Sequence, residues 1–152
     1  MKDFKETLKA MRATLAKGFC QKAIARKEDG SGCEPGSPGV TQWCILGALY
    51  LALPVQYLNI PFEEREKLSP VKLRELYNIH ELKWQPVYET RRHIQELLRV
   101  KLTELSTDPK DQYANTTIIR YNDSHTQAEV LTFFDKVISE LENPSTIVKV
   151  EG

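Results

Sequence analysis

Apolar residues at helical spacing near the amino end predict the first element. This stripe, with steps of four, three and four residues, consists of Phe4, Leu8, Met11 and Leu15. It predicts a helix from Phe4 to Lys17, because residues at these steps share one helical face. Asp3 is placed to cap its amino end, and Gly18 is placed to end it in a left-handed conformation.

The segment ending at Ala52 is apolar on nearly all sides, which predicts a central, buried helix. Thr41 is placed to cap it, so that Cys44 lies in its first turn, and a proline two residues after Ala52 stops it. The small pair Gly47-Ala48 would let another backbone approach this helix closely.

Prolines organise the middle of the chain. Pro61 and Pro70 stand where first-turn prolines are tolerated, which predicts two short helices between residues 59 and 78, and Ser69 can cap the second helix. Pro86 then opens a longer helix. Its core stripe consists of Val87, Ile94, Leu98, Leu102 and Leu105.

Strands are predicted at two places, and a third segment is ambiguous. The run from Thr116 to Tyr121 is β-branched and ends in the Asn122-Asp123 turn, which favours a strand. A last strand could form from Ile147, Val148 and Val150. The stretch from Phe19 to Lys27 fits either a short helix or an extended segment.

The last helix is predicted by its start signal and its apolar face. Thr126 and Glu129 match a capping box, with Ser124 and Gln127 as a competing pair. The face consists of Val130, Phe134, Val137, Ile138 and Leu141. Asn143-Pro144 ends the helix.

These elements predict a mainly helical α+β domain of five to seven helices, with a small antiparallel β element near Thr116 to Tyr121. A length of 152 residues suits a single domain over 1–152. Residues 29–42 hold four glycines, two prolines and two serines, which favours a flexible, irregular loop. Loops of this length often belong to functional sites.

Composition and the first residues indicate the cellular compartment in which we expect the protein. No apolar run reaches the ~20 residues of a membrane span, and the start lacks the apolar core of a secretory signal. Three cysteines at spacings that match no zinc pattern agree with reduced thiols. We therefore expect a cytoplasmic protein with no metal, no cofactor and no membrane partner.

The amino end is basic although the net charge of the chain is zero. Residues 1–27 hold eight Lys or Arg and two acidic residues. The basic stripe of Lys5, Lys9 and Arg12 could meet nucleic acid, but no nucleic-acid motif accompanies it. We expect it to face solvent or the chain's own acidic residues, such as Glu129, Asp135, Glu140 and Glu142 of the last helix.

The candidate chemistry lies in two distant segments. A thiol in the first turn of a helix has its pKa lowered by the helix dipole, so Cys44 could be a nucleophile. His125 could serve as its base, oriented by Asp123 or Asn122. The alternative is that Cys44 is a small core residue and that Asn122 to Ser124 are turn and capping residues.

Other polar residues have simpler interpretations. His80 and His93 lie at no metal-ligand spacing and are expected on the surface. Arg91 and Arg92, with Tyr88, could contact phosphate, but pairs four residues apart, such as Arg92 with Glu96, are the favoured interpretation.

The segment with Cys44, Gly47, Ala48 and Leu49 resembles the Cys-x-x-Gly-Ala-Leu helix of a family of small bacterial and bacteriophage proteins. The second part of the resemblance is an Asn-Asp turn before the last helix, matched by Asn122, Asp123, Thr126 and Val130. The resemblance implies a shared fold and a shared site around these two segments.

We expect a binding or interaction module for a host protein or a small ligand, and do not expect nucleic acid as its partner. The expected ligand-binding residues are Trp43, Asn122 and Thr126. The second hypothesis is a cysteine-dependent hydrolase or transferase that uses Cys44, His125 and Asp123.

Overall fold

The computed structural model of the chain describes residues 4–105 and 118–143. Its elements are α1 (Phe4–Lys17), β1 (Ala25–Lys27), β2 (Val40–Trp43), α2 (Ile45–Ala52), α3 (Phe62–Glu66), α4 (Pro70–Leu105), α5 (Ile118–Ser124) and α6 (Gln127–Glu142). The mainly helical α+β class is confirmed. The predicted cap at Asp3 and the strand at Ile147, Val148 and Val150 lie outside the described residues.

Helix α1 has the predicted bounds, and Leu8, Met11 and Leu15 are fully buried. Gly18 follows it but does not adopt the left-handed conformation, so that prediction is wrong. A side chain at Gly18 would instead collide with the carbonyl oxygen of Thr41. The glycine is needed for a close approach between the end of α1 and β2.

The sheet has two antiparallel strands, β1 and β2, with Ala25 opposite Trp43. The predicted loop over residues 29–42 therefore ends earlier than expected, because Val40 already belongs to β2. The strand predicted near Thr116 to Tyr121 is wrong: from Ile118 onward this segment is the helix α5. Residues Phe19 to Lys27 are extended at both ends, through a bridge from Phe19 to Trp43 and through β1.

Helix α2 lies against α1, β2 and α5, and this central position was predicted. Thr41 does not cap it, because Thr41 lies within β2; the cap is Cys44, one residue before the first turn. A side chain at Gly47 would collide with the carbonyl oxygen of Ile24, so the predicted close approach of another backbone is confirmed.

Helix α4 is a single helix of 36 residues. Two predictions are wrong here: Pro70 does not begin a short helix, and Pro86 lies inside the long one. The hydroxyl of Ser69 caps α4 as expected, accepting from Lys72 N–H at 3.1 Å. The core stripe is confirmed, with Ile94, Leu98 and Leu102 buried and its two end residues partly buried.

The capping box of Thr126 and Glu129 is confirmed at the start of α6. Asn143 caps the carboxyl end of this helix. Its apolar face packs on α1 and α4, and Phe134, Val130 and Val137 are fully buried. Among the described residues, no helix combines the length and apolar character that a bilayer crossing requires.

Candidate functional site

A cavity of about 320 Å³ opens where three segments meet. We call it the Cys44 cavity. It is bordered by the turn before β1, the start of α2 and helix α5. Its lining residues are Lys22, Ala23, Ile24, Cys44, Leu46, Tyr50, Ile118, Ile119, Asn122 and Asp123. The walls are mainly apolar, with a few polar groups among them.

Cys44 holds the start of α2. Its Sγ accepts a hydrogen bond from Gly47 N–H at 3.3 Å, and its own N–H donates to Ile24 O at 3.1 Å. Burial raises the pKa of the Cys44 thiol, and the charge of Asp123 acts in the same direction, whereas the amides of Gly47 and Leu46 oppose the rise. The helix dipole alone predicts a lowered pKa, and the burial of the thiol reverses that direction.

Asn122 connects all three segments through one buried amide. Its Oδ1 accepts from Ile45 N–H at 2.8 Å, and its Nδ2 donates to Cys20 O at 3.0 Å. Only 3% of its surface is exposed. The amide therefore satisfies a free N–H at the start of α2 and a buried carbonyl with a single side chain.

Asp123 and Lys22 form the polar edge of the cavity. The Lys22 backbone has φ = 63°, a left-handed conformation that is uncommon for a residue with a side chain. Its N–H donates to Asp123 Oδ1 at 2.8 Å, which stabilises this conformation. Strained backbone of this kind is concentrated at functional sites.

Three predicted site residues lie elsewhere and are not among the described residues that line the cavity. Trp43 donates from Nε1 to Pro35 O at 2.9 Å and anchors the loop before β2. Thr126 caps α6. The ring of His125 is buried and stacks on Tyr121, with a centroid distance of 3.9 Å.

Cys44 and His125 form their hydrogen bonds with different partners. Nδ1 of His125 lies 2.8 Å from Tyr121 O and 3.0 Å from Ser124 Oγ, so it is occupied by its own helix. Cys44 Sγ is occupied by Gly47 N–H. The structure thus brings Cys44, Asn122 and Asp123 together, as expected, and turns His125 Nδ1 toward α5.

Several lining residues were missed at the sequence level. The close approach at Gly47 and the left-handed turn bring Lys22, Ile24 and Tyr50 to the cavity. Neither feature has a sequence pattern that indicates a binding site. Among residues 4–105 and 118–143, no three His, Cys, Asp or Glu side chains form a group that could hold a metal ion.

Residues 1–140 match the model of DUF6197, a family of unknown function. No curated protein and no solved structure matches the chain.

Proposed function

We propose that this chain, which belongs to the DUF6197 family of unknown function, is a binding module whose ligand occupies the Cys44 cavity. The observation that carries this proposal is the cavity itself. Its volume of about 320 Å³ is at the lower end of the roughly 300–1,000 Å³ of ligand pockets. Apolar walls with a few polar groups are typical of such pockets.

The cavity chemistry favours a compact, mainly apolar group with one polar end. The side chains of Ile24, Leu46 and Ile118 offer apolar contact. At the edge, Asp123 Oδ2 accepts no hydrogen bond from the described residues, whereas Oδ1 is used by Lys22 N–H and by Asn122 Nδ2. A donor group on the ligand would pair with this oxygen.

A catalytic function would require a reactive thiol, and two observations favour binding instead. The pKa of Cys44 is raised by burial, so the thiolate that a nucleophile needs is scarce at neutral pH. The base proposed for it, His125, is buried with its ring stacked on Tyr121 and is not among the described residues that line the Cys44 cavity.

We place this module in the cytoplasm, as an accessory protein of a phage or other mobile element that acts on a host component. The support is the resemblance carried by the Cys44 and Asn122-Asp123 segments, together with the reduced state expected of the cysteines.

The test is a methyl-detected NMR titration of the full chain with a library of small apolar fragments. We expect fragments to shift the methyl signals of Ile24, Leu46, Ile118 and Ile119 together. Ala23→Leu narrows the cavity and should abolish these shifts, while Ala13→Leu, on the exposed face of α1, should leave them unchanged.

Two outcomes would overturn the proposal. One is a library in which no fragment shifts the cavity methyls. The other is equal binding by Ala23→Leu and the Ala13→Leu control, because this would place the fragments outside the cavity.

A further inference from the structure

Arg91 is a buried cation with little to satisfy it. Only 9% of its surface is exposed. Its Nε–H donates to Leu53 O at 2.9 Å. Within residues 4–105 and 118–143, no other hydrogen bond and no acidic partner is found for its guanidinium.

Two tyrosine rings surround the same guanidinium. Its central carbon lies 4.4 Å from the ring centroid of Tyr50 and 5.9 Å from that of Tyr88. Contacts of this kind stabilise a desolvated cation. In the described part of the chain, the N–H groups of both terminal nitrogens have no hydrogen-bond acceptor.

Part of this arrangement has a structural purpose. The bond to Leu53 O places a positive charge at the carboxyl end of α2, where the helix dipole favours it. That purpose uses one N–H of Arg91. Burying the rest of the guanidinium without an anion is unfavourable, and the capping bond does not account for it.

We propose that Arg91, with Tyr50 and Tyr88, forms a binding site for an oxyanion, either a phosphate group or a carboxylate. The planar guanidinium presents paired N–H donors that match two oxygens of such a group. Tyr88 is 36% exposed, so one side of this group of residues borders solvent. This inference does not rest on the function proposed for the Cys44 cavity, although Tyr50 contributes to both sites.

The neighbouring arginine provides a matched control. Arg92 follows Arg91 on α4 but is exposed. The predicted pair of Arg92 with Glu96 is wrong, because Glu96 pairs with Arg99. Comparison of Arg91 with Arg92 therefore contrasts a buried guanidinium with an exposed one on the same helix.

The experiment is a two-dimensional NMR titration of the arginine Nε–H signals of the full chain with inorganic phosphate, with acetate, and with chloride at matched ionic strength. We expect the Arg91 signal to shift saturably with phosphate, acetate or both, and the Arg92 signal to show no saturable shift. Comparison of the phosphate and acetate arms identifies which oxyanion the site prefers.

Variants separate binding from helix capping. Arg91→Lys keeps the charge but loses the paired donors, so we expect oxyanion affinity to fall about tenfold or more while the chain stays folded. Arg92→Lys should retain the affinity. If Arg91→Lys does not fold, the titration of the unmodified chain still decides, since its Arg91 signal is assigned through the backbone of α4.

The proposal is overturned if the Arg91 signal responds to chloride as it does to the oxyanions, or if no saturable shift occurs up to tens of millimolar. Arg91 would then serve only as a cap. Such a result would leave the methyl titration of the Cys44 cavity unaffected.

Discussion

Asn122 shows how much one residue can hold in place. Its amide satisfies Ile45 N–H and Cys20 O, which belong to different segments and meet only in the folded chain. Asp123, its neighbour, stabilises the left-handed turn at Lys22. Two consecutive residues thus position two of the three borders of the Cys44 cavity.

Asn122→Ala should lower the free energy of unfolding by about 2–4 kcal/mol. It leaves two buried backbone groups unpaired, each at a cost of about 1–3 kcal/mol. Urea unfolding followed by tryptophan fluorescence measures the loss. Asn78→Ala, at an exposed position of α4, is the control and should stay within about 0.5 kcal/mol of the unmodified chain. Equal losses for the two variants would contradict this role of Asn122.

Cys44 should react slowly with iodoacetamide at neutral pH, and more slowly than Cys33, although both side chains are partly exposed. Burial raises the pKa of Cys44 and raises that of Cys20 to about 11, and only the thiolate reacts. Labelling of both should therefore accelerate as the pH rises above neutrality. Peptide mass mapping of the folded chain measures the three rates.

The catalytic hypothesis makes the opposite prediction for the same experiment. A catalytic Cys44 would react faster than Cys33 at about pH 6, and His125→Ala would abolish that advantage. This pair of results would replace the binding module with a cysteine-dependent hydrolase or transferase.

At the scale of elements, α4 is unusual because it continues through a proline. Pro86 has no N–H for the carbonyl of Leu82, four residues earlier. Both residues are exposed, so water can satisfy that carbonyl on the solvent side. The missing backbone hydrogen bond therefore lies on the solvent side of α4, where its energetic cost is low.

Pro86→Ala should stabilise α4. Alanine restores the missing hydrogen bond and removes up to about 3 kcal/mol of unfavourable helix propensity. Hydrogen exchange of the amides from residue 78 to 90 should slow relative to the unmodified chain. Thr90→Ala, which removes the hydroxyl bond to Pro86 O at 2.8 Å, is the control and should not slow it. Unchanged protection in Pro86→Ala would show that the proline adds no strain.

The elements that the sequence predicted well are those with one apolar face and a clear start. Helices α1 and α6 have both, and their bounds agree. Residues 118–121 were assigned to a strand because β-branched residues favour extended backbone. In the structure Ile118, Tyr121 and Asn122 are the buried positions, and their steps of three and one fit a helix. The burial of one helical face therefore outweighed the preference of these residues for extended backbone.

The site was predictable only in part, for a similar reason. Cys44 and Asn122 carry local signals, a helix start and a turn, and the structure places both at the cavity. Lys22 carries none, and Arg91 and Arg92 with Tyr88 allowed a phosphate contact, although ion pairs along the helix were the favoured interpretation. Lys22 matters because its backbone is left-handed, and Arg91 matters because its buried guanidinium has no acidic partner among the described residues. Both features form only after distant segments have packed.

At the scale of the whole molecule, the basic stripe of α1 faces acidic residues of α6. Arg12 pairs with Asp135 at 2.7 Å, and Lys9 pairs with Glu142 at 3.5 Å. Exposed pairs of this kind contribute about 0–1 kcal/mol. Their larger effect is to neutralise much of the charge that a nucleic acid would contact.

The chain should therefore not bind nucleic acid tightly. We expect no dissociation constant below about 1 µM for a short labelled duplex at about 0.15 M salt, measured by anisotropy. Asp135→Lys frees Arg12 and adds a cation, so any weak binding should strengthen and depend more steeply on salt. Submicromolar binding by the unmodified chain would reassign the basic stripe to a nucleic-acid partner.

The packing of α1 against α6 also constrains how the protein is made. During synthesis α1 emerges before α6, one of the two helices that pack most extensively on it. Until α6 has been translated, α2 can cover part of the apolar face of α1, but the part that packs on α6 must remain open or be shielded by a chaperone. A ribosome that stalls before residue 127 would release a chain whose α1 lacks one of its two main helical partners, and such a product is a ready substrate for proteolysis.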